Sequence, residues 1–312
     1  MTAQAKIITY KPVSYLKQGD CITILCTARS AQREQLSPAV ELLQSWGLAV
    51  ALGDTIDKVD NQLGGTIQQR VADFVNAYTN PEVKAIWIAR GGYGTVQIID
   101  EVLLQLQTTF KNTAFEHPLI IGYSDVTVLH TALQKLGLQT VHTFMPLELA
   151  SKPVKVIDCL HKALLGKTLQ VVLKNEQQVP EQQVTAPVIG GNLSILYSLL
   201  GSDTLPEFDG HILFIEDIDE YLYHIERMLY ALKRAGKLSG LKALLVGSMT
   251  AMRDHDIPFG KTAQEIITGI TASYDYPVIF NFPAGHIPNN HAIILGKEMH
   301  ITIDTNSITC TQ

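Results

Sequence analysis

Ile120-Ile121-Gly122-Tyr123-Ser124-Asp125 is the stretch from which the fold of this chain is read. An apolar run, 118–121, ends at a glycine, a serine follows within two residues, and a helix-like stretch, 126–136, starts at once. The order is strand, sharp turn, helix, with Ser124 at the tip of the turn. Such a turn pushes a hydroxyl out of the backbone and leaves the amide of the next residue, Asp125, free to hold an oxyanion. A hydroxyl placed there suggests acyl transfer, which needs a base from elsewhere in the chain.

On both sides of this turn the first half alternates strand and helix signals. Residues 21–26 (CITILC), 48–52, 83–89 (VKAIWIA), 119–122 and 140–144 read as strands, and 37–46, 66–78 and 96–106 as helices. That alternation predicts an α/β fold with a parallel sheet, in which ligands sit at the carboxyl ends of the strands. Arg90-Gly91-Gly92-Tyr93-Gly94 and the Ser124 turn both fall at such ends. Residues 175–184 (NEQQVPEQQV) are polar, Gln-rich and contain a proline, so they predict a linker or exposed hairpin and a domain boundary between about 150 and 185. Beyond it, 186–200 begins with Gly190-Gly191-Asn192 and runs into an apolar helix. Residues 211–215 form a strand that ends in Glu216-Asp217. Leu222, Ile225, Leu229 and Leu232 share one helical face, with Gly236 as its C-cap. Residues 243–246, 278–282 and 292–295 are further strands, and the alternation at 299–303 predicts a hairpin with 292–295.

Composition removes several classes of function. At 312 residues the chain can bury a full core in one large or two ordinary domains. A formal net charge of -6, with no Lys/Arg run longer than two, argues against nucleic acid. No stretch approaches 18 uninterrupted apolar residues, so no membrane span is expected. Residues 1–10 lack an apolar segment behind a basic start, so no signal peptide is expected. Cys21, Cys26, Cys159 and Cys310 are scattered without CxxC spacing, which indicates neither a zinc knuckle nor a disulfide framework. These features together predict a cytoplasmic enzyme with reduced thiols.

A serine nucleophile needs a histidine base, and the histidine needs an orienting carboxylate. His286 lies in Phe282-Pro283-Ala284-Gly285-His286-Ile287-Pro288, just past a strand, in a loop stiffened by two prolines; a surface turn histidine is the plain alternative. His130, at least one helical turn past Ser124, reads as a core or helix-face residue. Glu216 and Asp217 follow a strand, so at least one stands at its end, while Glu220 and Glu226 fit a solvated helix face. Gly92-Tyr93-Gly94 begins like a dinucleotide fingerprint but lacks the third glycine and follows the third strand instead of the first. His286 and His291 lie in a Pro/Asn loop with no cysteine to complete a metal set. Cys26 ends the first strand, where a buried small hydrophobe is the common role. No cofactor and no metal are expected.

Five motifs in order, ARGGYG (89–94), GYSD (122–125), GGNLS (190–194), FIEDIDE (214–220) with IERML (225–229), and FPAGH (282–286), resemble the LD-carboxypeptidases. These are serine peptidases related to the microcin C self-immunity proteins, and the likeness runs from about residue 15 to 303. The resemblance implies a Rossmann/flavodoxin-like parallel-sheet N-terminal domain (1–150) carrying the nucleophile. A linker or crossover (151–185) and a smaller mixed α/β C-terminal domain (186–312) with the acid and the histidine would follow. Matched by position, Ser124 is the nucleophile, Glu216 the acid and His286 the base, and the backbone amides of Gly92 and Asp125 form the oxyanion hole. The chain departs from the family where His-Gly-Pro-Met is usual and His142-Thr143-Phe144-Met145-Pro146 stands here, in a wall of the pocket. The implied activity is release of terminal D-alanine from a murein tetrapeptide, in the cytoplasm, by a homodimer. The related immunity proteins are expected to stack an aromatic residue near the domain crossover on a nucleotide base, and 151–187 contains no Phe, Tyr or Trp. A non-catalytic muropeptide sensor is the remaining class, opposed by the retention of all three triad candidates.

Overall fold

The computed structural model describes residues 8–312; residues 1–7, and with them most of the stretch read against a signal peptide, lie outside it. In chain order the elements are β1 (Cys21–Leu25), α1 (Arg33–Ser45), β2 (Ala49–Leu52), α2 (Ile67–Thr79), β3 (Val83–Ile88), α3 (Ile99–Lys111), β4 (Leu119–Gly122), α4 (Thr127–Lys135), β5 (Thr140–His142) and α5 (Val154–Leu164). There follow β6 (Gln170–Lys174), β7 (Gln182–Asn192), α6 (Leu193–Ser198), β8 (Ile212–Ile218), α7 (Leu222–Arg234), β9 (Ala243–Thr250) and α8 (Ala263–Thr271). The chain closes with β10 (Val278–Ile279), β11 (Ile293–Leu295), β12 (Glu298–Ile303) and β13 (Ser307–Thr311).

Near-continuous apolar runs such as Leu119–Gly122 suit strands covered on both faces. Strands β1 to β5 form a parallel sheet in the order β5-β4-β3-β1-β2. Ile22, Ile24, Trp87 and Ile121 face α1 and α5 in one core, while Leu25, Ile86, Ile88 and Ile120 face α2, α3 and α4 in another. Each such side chain, fully buried, contributes roughly 1.5–3 kcal/mol. Helix α2 starts where Thr66 accepts from the Gln69 amide and Gln69 returns a bond to the Thr66 amide. The second sheet is mixed, in the order β10-β9-β8-β7-β12-β13-β6, parallel from β10 to β7 and antiparallel beyond. Helices α6, α7 and α8 cover one face of it, and the strands close over the other through Phe214, Leu245, Ile301 and Ile308.

Two expectations are corrected. The strand at 293–295 does not form a hairpin with 298–303. Strand β11 crosses to the first sheet and pairs antiparallel with β5, Ile293 opposite His142, while β12 pairs with β7 and β13. The burial patterns give the reason: Ile293, Ile294 and Leu295 are all buried, which a position between layers satisfies, whereas β12 alternates buried and wet residues. Nor is 175–184 an exposed hairpin or a free linker. Asn175 closes a turn on Val179, and the residues from Gln182 enter β7 paired with β12, so that β12 and β13 lie between β6 and β7. Among the described residues no helix is long and apolar enough to cross a membrane.

Trp87 lies at the centre of the first sheet, 1% exposed, with its indole N–H donating to the Phe144 carbonyl at 3.0 Å. Trp87→Ala removes the ring and leaves that carbonyl without its donor. It should lower unfolding free energy by about 3–5 kcal/mol, read from the urea midpoint.

Candidate active site

Strand β4 ends at Gly122, and the chain turns through Tyr123 and Ser124 into a 3-10 turn (Ser124–Val126) that leads to α4. Ser124 has φ +61°, a left-handed conformation that costs a non-glycine residue about 1–3 kcal/mol. The packing around it holds the turn. The buried His130 ring donates from Nε2 to the Gly122 carbonyl at 2.9 Å, and burial pushes this histidine down to about 4, so it stays neutral. His130 is therefore a core residue that anchors the end of β4. The Asp125 side chain turns away from the cleft and accepts from the Thr95 amide at 2.9 Å. The wholly buried Arg70 guanidinium donates to the carbonyls of Gly65, Thr27 and Gly94 and to Gln97. The two groups tie the 91–97 loop to the serine turn.

His286 arrives on the loop after β10 of the second sheet. His286 Nδ1 lies 2.7 Å from Glu216 Oε2, and Nε2 lies 3.1 Å from Ser124 Oγ. A carboxylate only accepts, so Nδ1 carries the proton and the Nε2 lone pair is left to accept from the serine hydroxyl. Glu216, fully buried near the end of β8, also accepts from Asn192 Nδ2 at 3.3 Å. Gly285 is required beside it: at φ +114° a Cβ there would stand 2.8 Å from Glu216 Oε2 and 2.5 Å from Ser248 Oγ. The neighbours of Glu216 do other things. Asp217 accepts from Asn192 Nδ2 and from the Ser194 and Ile218 amides, and burial pushes its carboxyl up to about 7. Glu220 meets His224 at 2.6 Å, and Glu226 meets Lys261.

Gly92 and Asp125 are the two amides near Ser124 that the sequence singled out. Among the described residues neither donates to another group. Gly92 has φ +102°, which favours glycine, and a Cβ on it would stand 2.7 Å from Arg29 Nε, so the Arg29 side chain would have to move. Ser124, His286 and Gly92 open into one cleft of about 830 Å³, shared with Arg29, Arg90 and Met145. Met145, from the segment that departs from the family pattern, lies against Gly91.

Sequence reasoning missed a second set of contacts. The Tyr123 ring lies 4.7 Å from the His286 ring, and its hydroxyl donates to Glu148 at 2.6 Å. Glu148 also accepts from the Met145 amide and lies 3.5 Å from Lys152. Tyr123 was visible as the residue before the serine, but nothing local announces its partner 25 positions on. Asn192 stood in the GGNLS motif, where its legible role was to cap α6, which it also does through the Ile195 amide. The other candidates fall elsewhere. Cys26 is buried, and burial pushes its thiol up to about 12, which leaves it inert. His291 bonds to Asn289, and both ring nitrogens of His286 are engaged as described.

A family model described as the LD-carboxypeptidase N-terminal domain matches residues 22–143, and one described as the LD-carboxypeptidase C-terminal domain matches residues 185–301. The chain belongs to the LD-carboxypeptidase family. Membership makes it a serine-type carboxypeptidase and bears out the resemblance drawn from the five motifs. The Bacillus subtilis protein named "Probable murein peptide carboxypeptidase" is 31% identical over 93% of this chain and 91% of its own. The Microcin C7 self-immunity protein MccF of Escherichia coli is 25% identical over 95% and 94%. The crystal structure of muramoyltetrapeptide carboxypeptidase from Oxalobacter formigenes superposes with a TM-score of 0.83 at 25% identity, covering 93% of this chain and 98% of that one. The α/β class read from the sequence is the fold of this family.

The electrostatics of the His286 ring yield a testable pH dependence. Burial, the largest single influence, pulls its pKa down, but the hydrogen bond and charge of Glu216, with Glu148 and Asp217, raise it above the ordinary 6.5. A base must be neutral to accept a proton, so kcat/KM should rise with pH through a midpoint above 6.5. Glu216→Gln removes the main opposing influence and leaves the burial. The midpoint should then move down, and the rate on the plateau should fall. A pH profile of both proteins measures the two effects; an unmoved midpoint would show that Glu216 does not act on this ring.

Proposed function

We propose that this enzyme cleaves the L–D amide of murein tetrapeptides and releases terminal D-alanine, with Ser124 as nucleophile, His286 as general base and Glu216 as the group that orients it. The observation that carries the reading is the unbroken line of hydrogen bonds from Ser124 through His286 to Glu216, beside two backbone amides with nothing else to bind among the described residues. His286 Nε2 takes the Ser124 proton as Oγ adds to the carbonyl carbon of the third residue, an L-centre. The carbonyl oxygen gains the charge, and the Gly92 and Asp125 amides stabilise it. Collapse of this intermediate breaks the C–N bond, and the proton passes from His286 to the leaving D-alanine nitrogen. Water then repeats the sequence on the acyl-enzyme and restores the serine. Glu216 orients the ring and stabilises the imidazolium in both halves.

The substrate follows from the names of the relatives, which act on murein peptides, and from composition. The MccF likeness raises hydrolysis of an aminoacyl nucleotide as the second reading. Against it, residues 151–187 hold no Phe, Tyr or Trp for a base to stack upon. In this reading the protein is a cytoplasmic homodimer without a cofactor, with the nucleophile in residues 1–150, a crossover at 151–185, and the acid and base in 186–312.

Ser124→Ala should lower kcat by roughly three orders of magnitude or more with the fold intact. The wild type should release D-alanine from a tetrapeptide ending in L-Lys-D-Ala or its diaminopimelate counterpart. It should turn over the L-alanine epimer and an aminoacyl-sulfamoyl adenosine far more slowly, compared as kcat/KM. Faster turnover of the adenosine compound would assign the chain to the second reading.

A further inference from the structure

A carboxypeptidase must tell a free C-terminal carboxylate from an internal peptide bond, and the triad contains nothing that does so. The charges in the cleft are therefore informative. Three of its lining residues are acids, and each already has a partner: Glu148 with Tyr123 and Lys152, Asp219 with Arg253, and Glu220 with His224. Two lining residues are arginines. Arg90 donates to the Ser30 carbonyl at 3.5 Å. Among the described residues Arg29 makes neither an ion pair nor a side-chain hydrogen bond, although its side chain is exposed and lies directly over Gly92.

We propose that Arg29 is the residue that binds the C-terminal carboxylate of the substrate. The assignment rests on the reading above, in which the Gly92 amide holds the scissile carbonyl oxygen. The carboxylate carbon of the leaving residue is three bonds from the scissile carbon and so within about 4 Å of it. A group that recognises it must stand at the edge of the oxyanion hole, which is where the Arg29 stem crosses Gly92. A guanidinium fits this role because it is planar, always charged, and matches a carboxylate with two parallel hydrogen bonds. The close approach also gives Gly92 a second duty. Any side chain there would displace Arg29 as well as crowd the carbonyl. Arg29 acts on specificity and on the placing of the leaving residue, and it takes no part in proton transfer.

The test compares a tetrapeptide ending in L-Lys-D-Ala with the same peptide ending in D-alaninamide, on wild type, Arg29→Gln, Arg29→Lys and Arg90→Gln. The wild type should favour the free acid, and Arg29→Gln should reduce the acid-to-amide ratio of kcat/KM by about 10–150-fold, the range for a hydrogen-bonded charge. Arg29→Lys, which keeps the charge but not the fork, should restore part of the ratio. Because both rates are read on the same folded enzyme, a loss of folded protein cancels from the ratio. An unchanged ratio in Arg29→Gln overturns the assignment, as does a collapse confined to Arg90→Gln. A wild type that cleaves acid and amide equally also overturns it while leaving the LD-carboxypeptidase reading intact. A wild type that releases neither D-alanine nor its amide removes that reading and this assignment together.

Discussion

The site depends on a buried carboxylate meeting a histidine ring. Glu216 has no exposure to water, so an unpaired charge there would be costly. The 2.7 Å bond to His286 Nδ1 and the longer one from Asn192 offset that cost. Much of the second half serves to keep this arrangement. Strand β8 delivers Glu216 to the interior, Gly285 lets the loop after β10 pass against the carboxylate, and Asn290 receives the Gly285 amide at 2.9 Å to hold the turn. The same bond assigns the histidine tautomer and therefore decides which ring nitrogen can face a serine.

The first half solves a different problem, which is to hold a serine in a conformation it would not choose. Ser124 in the left-handed region is tolerated because its surroundings are over-determined. His130 binds the carbonyl before the turn, Asp125 binds Thr95 after it, and Arg70 fills the space beneath the glycine loop with hydrogen bonds to three carbonyls. The two halves meet where Thr127 Oγ accepts from the Asn192 amide at 3.0 Å, so the residue that caps α6 and contacts Glu216 also touches the helix that follows Ser124. That shared contact joins the placement of Ser124 to that of Glu216.

The legible parts of this protein were those governed by near neighbours in the chain. The strand, turn and helix around Ser124 show as an apolar run broken by glycine, and the alternation of periods announces a parallel sheet, because both depend on side-chain spacing along one element. The five motifs carry the family because they lie at strand ends, where backbone close approach restricts residue type. Reading 292–303 as a hairpin failed for the converse reason. An apolar stretch and an alternating one separated by a few residues read as a hairpin by default, and only the open edge at β5 draws the first of them into another sheet. Residues 175–184 looked like a linker because polar composition reports exposure and not hydrogen bonding, and their register with β12 depends on a strand more than a hundred positions away.

By itself the sequence determined the α/β class, the turn that exposes Ser124, and the short set of acids and histidines from which a triad could be drawn. It determined them through local sterics and periodicity, which need no partner. Tertiary structure decided which members of that set meet. Glu216 and Asp217 are adjacent where the β8–β9 register is irregular, and both accept from Asn192 Nδ2. Only the packing of β8 against the 282–290 loop turns one toward His286 and leaves the other to Asn192 and the backbone. It also decided that Arg29, unremarkable in its own stretch of chain, lies over Gly92, since two loops at neighbouring strand ends become close only when the sheet forms.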